Sequence, residues 1–276
     1  MPMKKYGRRP ARHTLRTMRS AIAMDRSLSS LGSPPAVSDD YVTPLVKALS
    51  ALSMPGGGGG PFGMFLNDAL GDCVCADSAH QVMLHTACAG TIVVPTDDEV
   101  LKLYSAVGGY IPGNAATDTG CDETSMCEYM ITTGLAGEKA SRSGSIDPAN
   151  LDNVRWAVQL FGACRLGIVV DQNMETEFDA QQPWATAASK ADPTAGGHDV
   201  PIVKYDEHFA YVITWGALQA ITWELLAESS FLEEAHAEVW PDFITATGNA
   251  PNGFDLQQLL TDLPSISPGE SLSLRA

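Results

Sequence analysis

The chain has 276 residues and a formal charge of −16, from 17 Lys and Arg against 33 Asp and Glu. Hydrophobic residues make up 45%, which is enough for a core and excludes wholesale disorder. No apolar run reaches the ~18 residues that span a bilayer, and no unbroken apolar segment follows the basic N-terminus as a secretory signal would, so no membrane partner is expected.

Residues 1–53 read as an arm. Within 1–26 lie eight basic residues and one acid, whereas the rest of the chain holds nine basic and 32 acidic residues. The acidic body argues against nucleic acid binding there, while the basic arm offers a contact to nucleic acid or to a protein partner in an assembly. The periodicity predicts a helix over 14–24, with Leu15, Met18 and Ile22 on one face, and a second over 41–52. Five glycines, Gly56 to Gly60, form a flexible joint, which sets domain boundaries of 1–60 for arm and hinge, 61–244 for the body and 245–276 for a polar tail. In the tail, Phe254, Leu256, Leu259, Leu260 and Leu263 predict one short amphipathic helix.

In the body, helices are predicted over 73–89, 97–106, 123–133 and 151–160, with a short strand at 92–94 and a polar loop over 111–120. Beyond Gly162 the pattern changes to strands at 165–170, 199–205 and 209–214, then a helix over 222–231 and a strand at 235–239. Helices first and an antiparallel sheet after make the fold class α+β.

Cys73, Cys75, Cys88, Cys121, Cys127 and Cys164 contain no CxxC pair, which argues against a zinc site and for reduced thiols of a cytoplasmic protein. A metal site from Cys73, Cys75 and His80 lacks a fourth ligand, and Asp118, Asp122 and Glu123 lack an EF-hand pattern and read as a solvated loop. No cofactor or metal is expected. His80 reads as a core histidine, and Asp199 points to the strand face opposite its neighbour His198.

The densest chemistry is Asn67-Asp68-Ala69-Leu70-Gly71-Asp72-Cys73. It places a thiol at a helix start, where unpaired N–H groups favour thiolate and can hold an oxyanion. Asp72 would stabilise the helix as a cap but oppose a neighbouring thiolate. Gly196-Gly197-His198 opens a strand 125 residues downstream, and Thr214-Trp215-Gly216 ends the next. A helix-borne Cys with a distant strand-borne His is the arrangement of a nucleophile–base pair.

In that order of motifs the sequence, over 62–243, resembles the papain-like cysteine peptidase superfamily, and in particular a group of bacterial and phage proteins carrying NDxxGDC, GGH and TWG segments. The resemblance implies a buried Cys-bearing helix packed on an antiparallel sheet. It implies Cys73 as nucleophile, His198 as base and Asn67, at the position of the family's oxyanion Gln, as oxyanion donor. The family's orienting Asn falls on Ile213 or on Thr214, depending on the register. The activity implied is thiol hydrolysis of a peptide or amide bond in a peptide or protein substrate. The alternative is a catalytically inactive papain-like assembly protein, such as a phage virion component docking through residues 1–53.

Overall fold

A computed structural model describes residues 4–10, 15–52, 60–189, 191–247 and Thr261, side chains of 15–20 and 245–247 excepted. The glycine joint except Gly60, and the expected tail helix except Thr261, lie outside these residues. The described elements run α1 (Leu15–Ser29), α2 (Val42–Ala51), α3 (Cys73–Cys88), α4 (Asp97–Gly108), a 3-10 turn (Ala115–Thr117), α5 (Glu123–Thr132), β1 (Arg142–Ile146), α6 (Leu151–Phe161), β2 (Cys164–Val170), α7 (Gln172–Asp179), β3 (Gly196–Tyr205), β4 (Phe209–Thr214), β5 (Ala217–Thr222), α8 (Trp223–Leu226), β6 (Leu232–Val239) and α9 (Pro241–Thr247). The strands form one antiparallel sheet in the order β1-β6-β2-β3-β4-β5, and the class is α+β, as the sequence leads one to expect.

Local chemistry sets the helix ends. Thr96 and Glu99 form a reciprocal capping box at the start of α4, and Gly109 closes it in the left-handed region. Asp122 and Asn150 cap α5 and α6 through Ser125 N and Asn153 N. Helix α3 is buried along 14 of its 16 residues because it lies between β3 and the helices α2, α4, α5 and α9. Apolar side chains on the other face of the sheet, among them Ile168 and Ile202, pack in a second core with α1 and α6.

The structure departs from expectation in several elements. Residues 92–94 form no strand. The helix expected over 222–231 is the end of β5 plus the single turn α8, because Phe231 turns inward as a fully buried core residue and the chain bends into β6. In α1 the packed face carries Ala23, Met24 and Leu28, whereas Ile22 is 66% exposed.

One buried charge joins the layers. Arg165, fully buried on β2, pairs with Asp77 at 3.1 Å, Asp199 at 2.5 Å and Glu238 at 3.3 Å. It also donates to the Val74 carbonyl at 3.1 Å and to Ser78 Oγ at 2.8 Å. One guanidinium therefore ties the residue after Cys73 to the residue after His198.

Candidate functional site

Cys73 is the first residue of α3, and Cys75 N and Ala76 N bond back to the carbonyl of Asp72. Asp72 stands at the cap position, yet its side chain makes no capping bond. It instead accepts from Asn67 Nδ2 at 3.4 Å, and burial holds its carboxyl well above the usual carboxylate range. A neutral Asp72 removes the repulsion that a carboxylate beside the thiol would exert.

Asn67 follows two non-glycine residues in the left-handed region, Phe65 at φ 51° and Leu66 at φ 72°. Such backbone is costly and persists where surrounding structure imposes it. The turn aims the Asn67 amide at the carbonyls of Lys5 and Leu70, both at 3.2 Å.

His198 is buried on β3, and its Nε2 meets Thr214 Oγ1 at 2.8 Å. Of the two expected candidates, Thr214 and not Ile213 therefore reaches the imidazole. Trp215 and Gly216 form a two-residue turn between paired Thr214 and Ala217, both with positive φ (45° and 79°). A tight hairpin asks for this backbone but normally takes small residues. Here Trp215 is kept because its ring stacks on His198 at 4.9 Å. His198 Nδ1 is buried with no hydrogen-bond partner among the described residues.

The surroundings hold both groups uncharged. Burial pushes the Cys73 thiol well above its ordinary value, with the Asp199 carboxylate adding to the rise, against N–H groups of Asp199 and Gly7 that favour thiolate. Burial and the charge of Arg8 push His198 down to about 3.

The sequence gives no sign of what covers the site. Residues 4–10 lie across it. Lys5 N bonds Asn67 O at 3.2 Å, Arg8 N bonds Gly197 O at 3.1 Å, and Cys121 exchanges bonds with Gly7 O and Arg9 N, both at 2.9 Å. Gly7 threads between backbones so closely that a Cβ on it would lie 1.7 Å from Gly71 O. The Tyr6 ring meets His198 edge-on at 5.9 Å, and its hydroxyl bonds Glu175. Lys4 binds Asp179 at 2.5 Å, and Arg9 donates to Thr119 O and Gly108 O, both at 2.9 Å. Four of the arm's cations are thus engaged by the body of the same chain. Beyond Lys4 and Trp215 an open cleft of about 670 Å³ continues past Phe178 and Gln219.

The remaining candidates separate. His80 Nε2 lies 3.1 Å from the Gly63 carbonyl, inside the core. Cys75 is buried 3.8 Å from Cys121. The loop read as solvated is not: Asp122 caps α5 and Glu123 is fully buried, while Asp118 is held by Gly71 N and Tyr104 Oη, both at 2.8 Å. Among the described residues one group has the spacing to hold a metal, Glu123, Glu234 and His236, with ligand atoms within 4.8 Å of one another. The guanidinium of Arg8 pairs with both of these glutamates and supplies the positive charge there.

Compared with known proteins, the chain matches no protein-family model and no curated sequence. Its fold matches solved structures. Xylellain, a cysteine protease from Xylella fastidiosa, aligns at a TM-score of 0.57 with 12% identity over 87% of this chain and 98% of that one. The cysteine protease and lectin-like domains of Cwp84, a surface layer associated protein of Clostridium difficile, align at 0.51 with 12% identity over 85% of this chain and 55% of that one. The fold is that of the papain-like cysteine proteases. Among the described residues no helix is long and apolar enough to cross a membrane.

Proposed function

We propose that the protein is a papain-like cysteine peptidase whose own residues 4–10 cover its active centre. The observation that carries this reading is the site itself: a thiol at the head of α3, an imidazole fixed by Thr214 and Trp215, and an arm lying over both.

A neutral imidazole has one N–H and one lone pair. If Nε2–H donates to Thr214 Oγ1, the lone pair falls on Nδ1, the nitrogen without a partner. Nδ1, which makes no hydrogen bond to the Cys73 sulfur in the covered form, takes its proton once the arm has left, and the thiolate attacks the carbonyl carbon of a peptide bond. The Cys73 N–H and the Asn67 amide, which now donates to the Lys5 carbonyl, hold the oxyanion. His198 returns the proton to the leaving amine, and water, activated by the same nitrogen, hydrolyses the thioester.

In the covered form this chemistry does not start. The arm turns the N–H of Gly7 toward the sulfur and occupies the place of a substrate there. The proton also stays on the thiol, since burial raises Cys73 while burial and Arg8 lower His198. Removing the arm readmits water and withdraws the Arg8 charge, which brings the two proton affinities toward each other. An electrophilic thiol probe tests the reading. Labelling of Cys73 that rises on displacement of the arm and disappears in His198→Ala supports it, and a Cys73 inert in both states favours an assembly role without catalysis.

A further inference from the structure

The arm does more than cover the thiol, because one of its side chains fills a built pocket beside it. Arg8 leaves the backbone next to Gly7, the residue at the Cys73 sulfur, and its guanidinium is buried. Each of its nitrogens meets a different carboxylate. Nη1 binds Glu234 at 2.5 Å, Nη2 binds Glu233, and Nε lies 3.8 Å from Glu123. Neither oxygen of the fully buried Glu123 has a hydrogen-bond partner among the described residues, so this carboxylate faces the guanidinium through ion-pair contacts alone. The floor is Gly167, at the bulge in the β2–β6 pairing, where a Cβ would come 2.9 Å from Arg8 Cδ. A side chain at 167 would close the pocket to a long cation.

We propose that this pocket, built by Glu123, Glu233, Glu234 and Gly167, selects an arginine side chain in the substrate, at the residue next to the one attacked. The proposal rests on the peptidase reading above. The arm also sets the side. Tyr6, on the other flank of Gly7, lies against the His198 ring that would protonate a leaving amine, so the Arg8 flank corresponds to the acyl portion and the arm runs opposite in chain direction to a substrate. Arginine fits better than lysine, because the planar fork carries its N–H donors to carboxylates at three separate nitrogens, whereas an ammonium concentrates its donors at one point. Leucine or glutamate at the same position would leave buried carboxylates unpaired or opposed.

The test uses the full chain carrying Arg8→Ala, with Arg8→Gln as the near-isosteric second variant should the first fold poorly. Peptidyl vinyl sulfones bearing Arg, Lys, Leu or Glu next to the reacting residue are compared by the rate of Cys73 labelling. A blocked arginine peptide without a reactive group is titrated calorimetrically into the same protein with Cys73→Ala added. The pocket predicts labelling by the Arg probe at least ten-fold faster than by the Leu probe, and a ratio near one after Glu234→Gln. Equal labelling by the Arg, Leu and Glu probes overturns the pocket and leaves the nucleophile standing. Arginine-dependent binding of the blocked peptide with Cys73 unlabelled by every probe overturns the peptidase reading and keeps the pocket. Absence of both binding and arginine preference overturns the pocket.

Discussion

Residues that touch the sulfur and the imidazole from distant parts of the chain decide whether this site can work. Thr214 holds one nitrogen of His198 with its single hydroxyl. Thr214→Val removes that partner while keeping the shape. Loss of one buried hydrogen bond, about 1–3 kcal/mol, predicts a fall in kcat of roughly 5- to 150-fold with KM nearly unchanged, and Thr214→Ser restores most of it. Steady-state kinetics on an uncovered form checks both. Gly7 is the matching residue on the arm. Because a Cβ there would collide with the Gly71 carbonyl, Gly7→Val lifts the arm and speeds Cys73 labelling at least ten-fold, read by mass spectrometry of the intact chain. Unchanged labelling would mean that the arm does not guard the thiol.

Among the elements, α3 and β3 have to be held at a fixed separation, and Arg165 does this from β2. Arg165→Met leaves Asp77, Asp199 and Glu238 buried without their cation, which predicts a loss of about 3–5 kcal/mol in urea unfolding. Helix α3 also carries His85, whose Nε2 lies 2.7 Å from the Phe161 carbonyl and whose ring stacks on Trp240. Burial lowers its pKa from 6.5 to about 4. Above pH 6.5 neither state protonates it, and below that only the unfolded chain does, so stability is lost as pH falls toward 4. The linkage amounts to about 3 kcal/mol at most. His85→Gln, which keeps a donor to Phe161, therefore loses less stability between pH 7 and 4.5 than the parent does. Parallel slopes for the two proteins would show that His85 is not the group titrating.

Across the whole molecule, the sequence is legible where side chains announce their setting. The stretch headed by Cys73, with Val74, Ala76, Ala79, Val82 and Met83 apolar and Gly90 just past its end, reads as a buried helix, and the β-branched runs around Asp206 read as a hairpin. Strand β1, Arg-Ser-Gly-Ser-Ile, has little β propensity of its own and exists because β6 pairs with it. The docking of the arm on its own chain is illegible for a related reason: besides their side-chain contacts, Lys5, Gly7, Arg8 and Arg9 dock through backbone groups, which every residue carries. The carboxylates that receive Arg8 come from α5 and from β6, more than a hundred residues apart in the chain, so no local pattern unites them. The same account unites thiol, imidazole and arm in one device, and one measurement reaches all three: the labelling rate of Cys73 by an electrophilic peptide probe in the parent, in Arg8→Glu and in Arg8→Glu with His198→Ala. The account predicts slow labelling in the parent, labelling at least ten-fold faster once Arg8 is repelled from Glu123, Glu233 and Glu234, and a return to the slow rate without His198. Equal rates in all three proteins would contradict it.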